Sequence, residues 1–174
     1  TTPIFWMEGG SAPAGDAHLG QAFARLLTKW LGPLGLVVVE SYEFRILSTK
    51  LVQRELNEFP RHSALIRDAG QALKSAGYPV ELDEAKDAPH LFITTQGIRA
   101  KLEPAGADGA SFIERSPAFA ARGLQPATHE RNLLLLMAET KPEAFSCSAA
   151  LRPVLQDLAI PVAAAVLGPG EIAY

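Results

Sequence analysis

Arg152, Gln156 and Asp157 stand close together in Leu151-Arg152-Pro153-Val154-Leu155-Gln156-Asp157. An arginine offers a planar fork of donors that fits a carboxylate or a phosphate. A glutamine and an aspartate four and five positions on can read amines or hydroxyls. The same residues also read as a surface turn with a local Arg–Asp pair of little energetic worth. A second group follows the apolar run 162–167, in Gly168-Pro169-Gly170-Glu171. In an open α/β sheet, ligands sit beyond the carboxyl ends of strands. Glycines let the backbone approach a ligand closely, and free N–H groups at the start of a following helix attract an anion. Glu171 and Asp157 would then supply negative charge for an ammonium or a site for a proton. The pattern is neither G-x-G-x-x-G nor a Walker A loop. A plain strand-to-helix turn, with Glu171 favouring the helix dipole, therefore stands beside the ligand-binding reading.

The remaining reactive residue types are sparse. The four histidines, His18, His62, His90 and His129, have no metal-ligand spacing. Asp16-Ala17-His18 reads either as a weak ligand or acid/base pair or as a helix-start cap. Cys147, the one cysteine, can form neither an intrachain disulfide nor a thiolate cluster. It has no base near it in sequence and reads as a small buried thiol rather than a nucleophile. Ser146 and Ser148 lack the context of a nucleophile elbow.

These groups need elements to position them. Apolar residues at helical spacing predict helices over 18–31, 43–58 and 62–76, and Thr128 is placed to cap a helix running to about 139. Residues 3–7, 36–39, 80–82 and 161–167 read as strands. The unbroken runs 36–39 and 162–167 predict central strands of one sheet, buried on both faces. Leu91-Phe92-Ile93 and Ile98–Leu102 flank Thr94-Thr95-Gln96-Gly97, the chemistry of a hairpin. Trp6 and Trp30 are expected in the core. Helices between buried strands predict an α/β fold with a largely parallel sheet. The hairpin interrupts that pattern and reads as a small inserted lobe, around 78–127, within a single domain over 1–174.

Bulk properties limit the function classes. With 174 residues, 48% hydrophobic and 20% charged, the chain has ordinary globular composition. A formal net charge of −3 without blocks of like charge gives no footprint for nucleic acid and no polybasic membrane patch. No apolar run reaches spanning length. The opening Thr1-Thr2-Pro3-Ile4 lacks a signal-peptide pattern and an initiator Met, so the chain reads as a processed product or a piece of something longer. Cysteine usage fits a reducing, cytoplasmic setting.

The stretch from Phe145-Ser146 to Tyr174 resembles a signature of the cysteine-adding enzymes of bacillithiol synthesis, the BshC family. That signature runs approximately F-S-P-N-V-x-L-R-P-V-x-Q-D, then an apolar segment with Pro, then G-P-G-E-I-A-Y. Phe145, Ser146, Leu151, Arg152, Pro153, Val154, Gln156, Asp157, Pro161 and Gly168 to Tyr174 match it in order. Pro3-Ile4-Phe5-Trp6 is similar to the family's P-V-F-W strand, Leu73 to Tyr78 to its L-x-x-A-G-Y helix end, and Leu91-Phe92 to its N-L-F strand. Two departures stand out. The family's acidic-histidine pattern near E-D-H-D-F is here Glu8-Gly9-Gly10-Ser11, with Asp16-x-His18 its nearest counterpart, and its Pro-Asn after F-S is Cys147-Ser148.

The resemblance implies a Rossmann-like core and a ligase that joins L-cysteine to glucosaminyl malate. It implies Glu171, Asp157 and Arg152 as catalytic groups, and Gln156, Gly168, Gly170, Tyr174 and, weakly, His18 as substrate-binding groups. No metal is implied and no cofactor motif is evident. ATP or another nucleotide suits the activation of a carboxylate. Family members pair through a long coiled coil that this sequence does not contain. The other reading is a non-catalytic relative that keeps a Rossmann-like pocket for a small molecule or nucleotide.

Overall fold

A computed structural model describes residues 4–7, 19–80, 87–106, 108–166 and 168, with the backbone alone at 4–7, 19–20 and 40–43. The chain divides into two compact units, Thr1–Ile46 and Leu47–Tyr174.

In the first unit, β1 (Ile4–Met7) lies parallel to β2 (Val37–Glu40), with Ile4 opposite Val37 and Met7 opposite Glu40. Parallel neighbours need a crossover rather than a tight turn. Helix α1 (Leu19–Leu31) supplies it and packs on β2. A 3-10 turn over Gly32–Leu34 ends the helix. Gly35 closes it in the left-handed region (φ 92°), donating its N–H to the Gly32 carbonyl. The result is a βαβ unit. Strand 36–39 thus forms, but not as a strand buried on both faces: Val37 is 47% exposed. A strand with one neighbour among the described residues cannot shield both faces. Trp30, expected in the core, is likewise exposed on α1.

The second unit holds a five-stranded sheet in the order β6-β5-β4-β3-β7, made of β3 (Leu91–Thr95), β4 (Ile98–Pro104), β5 (Ser111–Arg115), β6 (Thr128–Glu130) and β7 (Phe145–Cys147). Every pairing in it is antiparallel. This corrects the largely parallel sheet. The reason is loop length: β3 and β4 are joined through Gln96 (φ 50°) and Gly97 (φ 68°), both left-handed as a two-residue hairpin turn demands. The hairpin anticipated at 91–102 is therefore present. Its strands β3 and β4 are interior strands of the five-stranded antiparallel sheet and do not join the parallel pair β1–β2.

Alternation along β4 decides which face is covered. Ile98, Ala100 and Leu102 are buried, whereas Arg99 is exposed and Lys101 and Glu103 are half-buried. The covered face carries Leu91, Ile93, Leu102, Phe112 and Phe145 and receives Leu51, Val52, Leu56 and Phe59 of α2 (Thr49–Ser75). Leu134 and Ala138 of α4 (Arg131–Thr140) and Leu151 and Leu155 of α5 (Arg152–Ala159) complete one core. Each such large side chain contributes about 1.5–3 kcal/mol when fully buried. Phe119 of the short helix α3 (Pro117–Ala121) covers Ile98 and Ala100 in a satellite cluster.

Three other expectations change. The helices expected over 43–58 and 62–76 are one helix, α2, preceded by a 3-10 segment at Ser41–Ser48. Pro60 removes one helical N–H, but the helix is pinned on both sides of it, by Glu55, Leu56 and Phe59 before and by His62 and Ser63 after. The helix expected from Thr128 starts at Arg131, because 128–130 pair with β5 as a strand. Residues 161–166 form no strand and are exposed, Val166 completely. An apolar run needs pairing partners to be a central strand, and among the described residues it has none. The strand expected at 80–82 falls largely outside the described residues.

Candidate functional site

Helix α5 begins where β7 ends. Cys147 is paired with Leu91. The Ser148 N–H donates to the His90 carbonyl (2.8 Å), and the Ser148 carbonyl accepts the N–H groups of Leu151 (3.2 Å) and Arg152 (3.0 Å). A tight turn thus hands the chain from strand to helix. Pro153 falls in the first turn of α5, where its missing N–H costs no helical bond.

Arg152 is therefore the first residue of α5. Gln156 follows it one turn later on the same side of the helix, and both are half-buried. Leu151 and Leu155 take the buried side. The Arg152 Nε is sealed from water, as is the Ser148 hydroxyl, which has no hydrogen-bond partner among the described residues. Asp157 is exposed and accepts the Val162 N–H through Oδ1 (3.4 Å). Gly168 is exposed and lies outside any helix or strand. Glu171, Gly170, Tyr174 and His18 lie outside the described residues. The structure thus brings Arg152 and Gln156 together at the junction, with Asp157 one residue further along the same helix.

A residue that sequence reasoning did not single out also reaches this junction. Arg99, on β4, extends across β3 with its guanidinium carbon 3.5 Å from the centre of the Phe92 ring. Its Nε donates to Ser146 Oγ (3.0 Å) and its Nη2 to the Cys147 carbonyl (3.4 Å). The alternation of β4 places Arg99 on the open face of the sheet, but only the strand order shows that β7 lies within its reach.

Two further polar groups sit inside the core. Fully buried Glu55 accepts the His90 N–H (2.9 Å) and is bonded to His62 Nδ1, while Ser63 Oγ lies 3.4 Å from His90 Nε2. Fully buried Glu114 accepts from Thr95 Oγ1 (2.7 Å), His129 Nε2 (2.8 Å) and the Ala127 N–H (3.3 Å). Both satisfy carboxylates that would otherwise be costly to bury. Among the described residues, no group of three or more His, Cys, Asp or Glu side chains could hold a metal ion. No helix among them is long and apolar enough to cross a membrane.

A guanidinium at the first turn of a helix, beside the positive end of its dipole, suits a carboxylate or a phosphate. The half-buried Gln156 amide adds a neutral donor and acceptor one turn away.

The sequence profile described as bacillithiol biosynthesis BshC, N-terminal Rossmann-like domain, matches residues 11–174. A Salinibacter ruber protein named "Putative cysteine ligase BshC" is 35% identical over 160 residues, covering 90% of this chain and 27% of that protein. Proteins of the same name from Chloroherpeton thalassium and Bacillus cytotoxicus are 33% and 29% identical, covering 88% and 87% of this chain. The chain spans about a quarter of the length of these relatives, 26% and 27% for the last two. The α/β content and the match together make this a Rossmann-like domain, and the chain belongs to the bacillithiol biosynthesis BshC family.

Proposed function

We propose that this protein joins L-cysteine to glucosaminyl malate, forming the amide that completes bacillithiol. The observation that carries the reading is the match over 11–174 to a family whose members are named cysteine ligases. It is supported by the presence of Arg152, Gln156, Asp157 and the Gly168-Pro169-Gly170-Glu171 turn in the order of the family signature.

In this reading Arg152 holds a substrate carboxylate or a phosphate. Gln156 orients the acceptor. Asp157 and Glu171 hold the amino group that becomes the amide nitrogen and take its proton as the bond forms. Gly168 and Gly170 allow close backbone approach, and Tyr174 binds substrate. Amide formation in water requires an activated carboxylate, which a nucleotide such as ATP supplies when bound. The Arg152 fork and the exposed backbone at Gly168 are compatible with its phosphates. The reaction needs a reduced thiol, which places it in the cytoplasm. The subunits pair through a coiled coil as the family resemblance implies.

The test is direct. The whole protein is incubated with L-cysteine, glucosaminyl malate and ATP, and the thiol product is followed by mass spectrometry. Product formation that falls at least about 100-fold in Glu171→Gln, the range for loss of an acid/base group, supports the reading. Absence of product from folded protein overturns it. The Glu8-Gly9-Gly10-Ser11 segment, standing where the family has its acidic-histidine pattern, favours a second reading: a non-catalytic relative that retains the pocket. That reading predicts binding of glucosaminyl malate by calorimetry without turnover.

A further inference from the structure

We infer that Arg99 is a positioning residue for the junction between β7 and α5, fixing the Ser146–Ser148 backbone from which Arg152 is presented; this rests on the role proposed for Arg152. The geometry is specific. Arg99 lies on β4, two strands away from β7 in the sheet order. Its guanidinium carbon lies 3.5 Å from the centre of the Phe92 ring, and from there the group bonds both Ser146 Oγ and the Cys147 carbonyl. One planar cation thus spans three strands on the face of the sheet opposite the core.

The consequence for the site follows from connectivity. Among the described residues, β7 is a three-residue edge strand, held by backbone pairing to β3 alone. An edge strand this short has few ladder bonds to fix its twist and its end. The turn that follows hangs on it: Ser148 bonds back to His90, and both Leu151 and Arg152 bond to the Ser148 carbonyl. Any rotation of the Cys147–Ser148 peptide is therefore passed directly to the first turn of α5. The two donors of Arg99 grip the side chain at 146 and the carbonyl at 147. Its stacking on Phe92 restricts the fork to that pose. A lysine could not reproduce it, because an ammonium is a point donor without a plane.

The hypothesis separates two roles that a simple deletion would confuse. If Arg99 only added stability, its loss would lower the melting temperature and leave substrate affinity unchanged. If it positions the junction, affinity for the group bound by Arg152 falls while the fold survives. Cys147 provides a local probe, since its thiol is buried and its carbonyl is one of the atoms held.

The experiment uses the whole protein and the variants Arg99→Gln, Arg99→Lys, Phe92→Leu and Arg152→Ala. Alkylation of Cys147 by iodoacetamide is followed by peptide mass spectrometry, and KM and kcat by product formation. Arg99→Gln is expected to speed alkylation of Cys147 and raise KM for the carboxylate substrate about tenfold each, the effect of losing one bond to a charged group. Its kcat should stay within about twofold and its melting temperature within a few degrees, as for a surface substitution. Phe92→Leu should move both readouts in the same direction. Arg99→Lys should likewise keep the melting temperature within a few degrees and leave KM raised, because an ammonium lacks the planar fork. Unchanged alkylation and unchanged KM in folded Arg99→Gln overturn the inference. Should Arg152→Ala leave KM unchanged while Arg99→Gln speeds alkylation, the role given to Arg152 fails and the positioning of the junction by Arg99 stands.

Discussion

Replacing Glu114 by alanine is expected to destabilise the sheet by about 3–4 kcal/mol, toward the lower end of the range for breaking a buried charged network. The magnitude follows from its partners. Glu114 is fully buried in β5 and accepts from the Thr95 hydroxyl at 2.7 Å, His129 Nε2 at 2.8 Å and the Ala127 N–H at 3.3 Å. Hydrogen bonds to a charged acceptor contribute about 1.5–3 kcal/mol each. Their plain sum overstates the loss, because Thr95 is half-buried and the His129 side chain is 13% exposed, so both can turn toward water. The Ala127 N–H also keeps little from an already long bond. Against a total stability of about 5–15 kcal/mol, a loss of this size is easily measured. Urea unfolding followed by far-UV circular dichroism should show a lower midpoint with unchanged slope. Glu114→Gln should cost less, about 1–3 kcal/mol, since one oxygen remains while the new NH2 meets a donor. A double-mutant cycle with His129→Ala should give a coupling of at least about 0.5 kcal/mol. A cost below 1 kcal/mol for Glu114→Ala, or strict additivity with His129→Ala, would refute the view that this carboxylate ties β6 to the sheet.

Gly109→Ala should cost about 2–4 kcal/mol, the left-handed backbone (φ 60°) accounting for roughly 1–2 of it. The rest comes from a new Cβ placed 2.9 Å from Arg131 Nη2 and 3.2 Å from the Phe59 ring; a thermal shift of under one degree would argue against it. Phe112→Ala, which empties the centre of the core, should cost about 3–5 kcal/mol in the same urea assay, and a near-neutral result would mean the core is not organised around β5. Cys147→Ser should leave turnover within about twofold, because the thiol is buried in β7 and removed from solvent; a loss of several orders of magnitude would make the cysteine a participant.

The elements most legible in the sequence were those specified by local chemistry. Thr94-Thr95-Gln96-Gly97, between the runs 91–93 and 98–102, specified a hairpin. The spacing of Leu19, Phe23, Leu26 and Trp30 marked α1, although not that Trp30 would stay exposed. Sheet direction was not legible, because unbroken apolar runs report burial and not partners. The run at 162–167 has the composition of a central strand, yet residues 161–166 are exposed and pair with no strand among the described residues. Of the candidate site, Arg152 and Gln156 stood out by motif, but the helix that carries them, α5, did not, because 151–157 also reads as a surface turn. Arg99 did not stand out, since its contact with Ser146 depends on β7 returning to pair with β3 across many intervening residues.

That return has a consequence for how the chain folds. Strands β3, β4, β5 and β6 are joined in sequence order, each to its predecessor, so their contacts close short loops. β7 must close a loop of about 50 residues to reach β3, and the entropy of loop closure rises with length. The meander is thus the natural early structure, and β7 with α5 is added last. Arg152 and Gln156 then take their places only as the core is sealed by Phe145, Leu151 and Leu155.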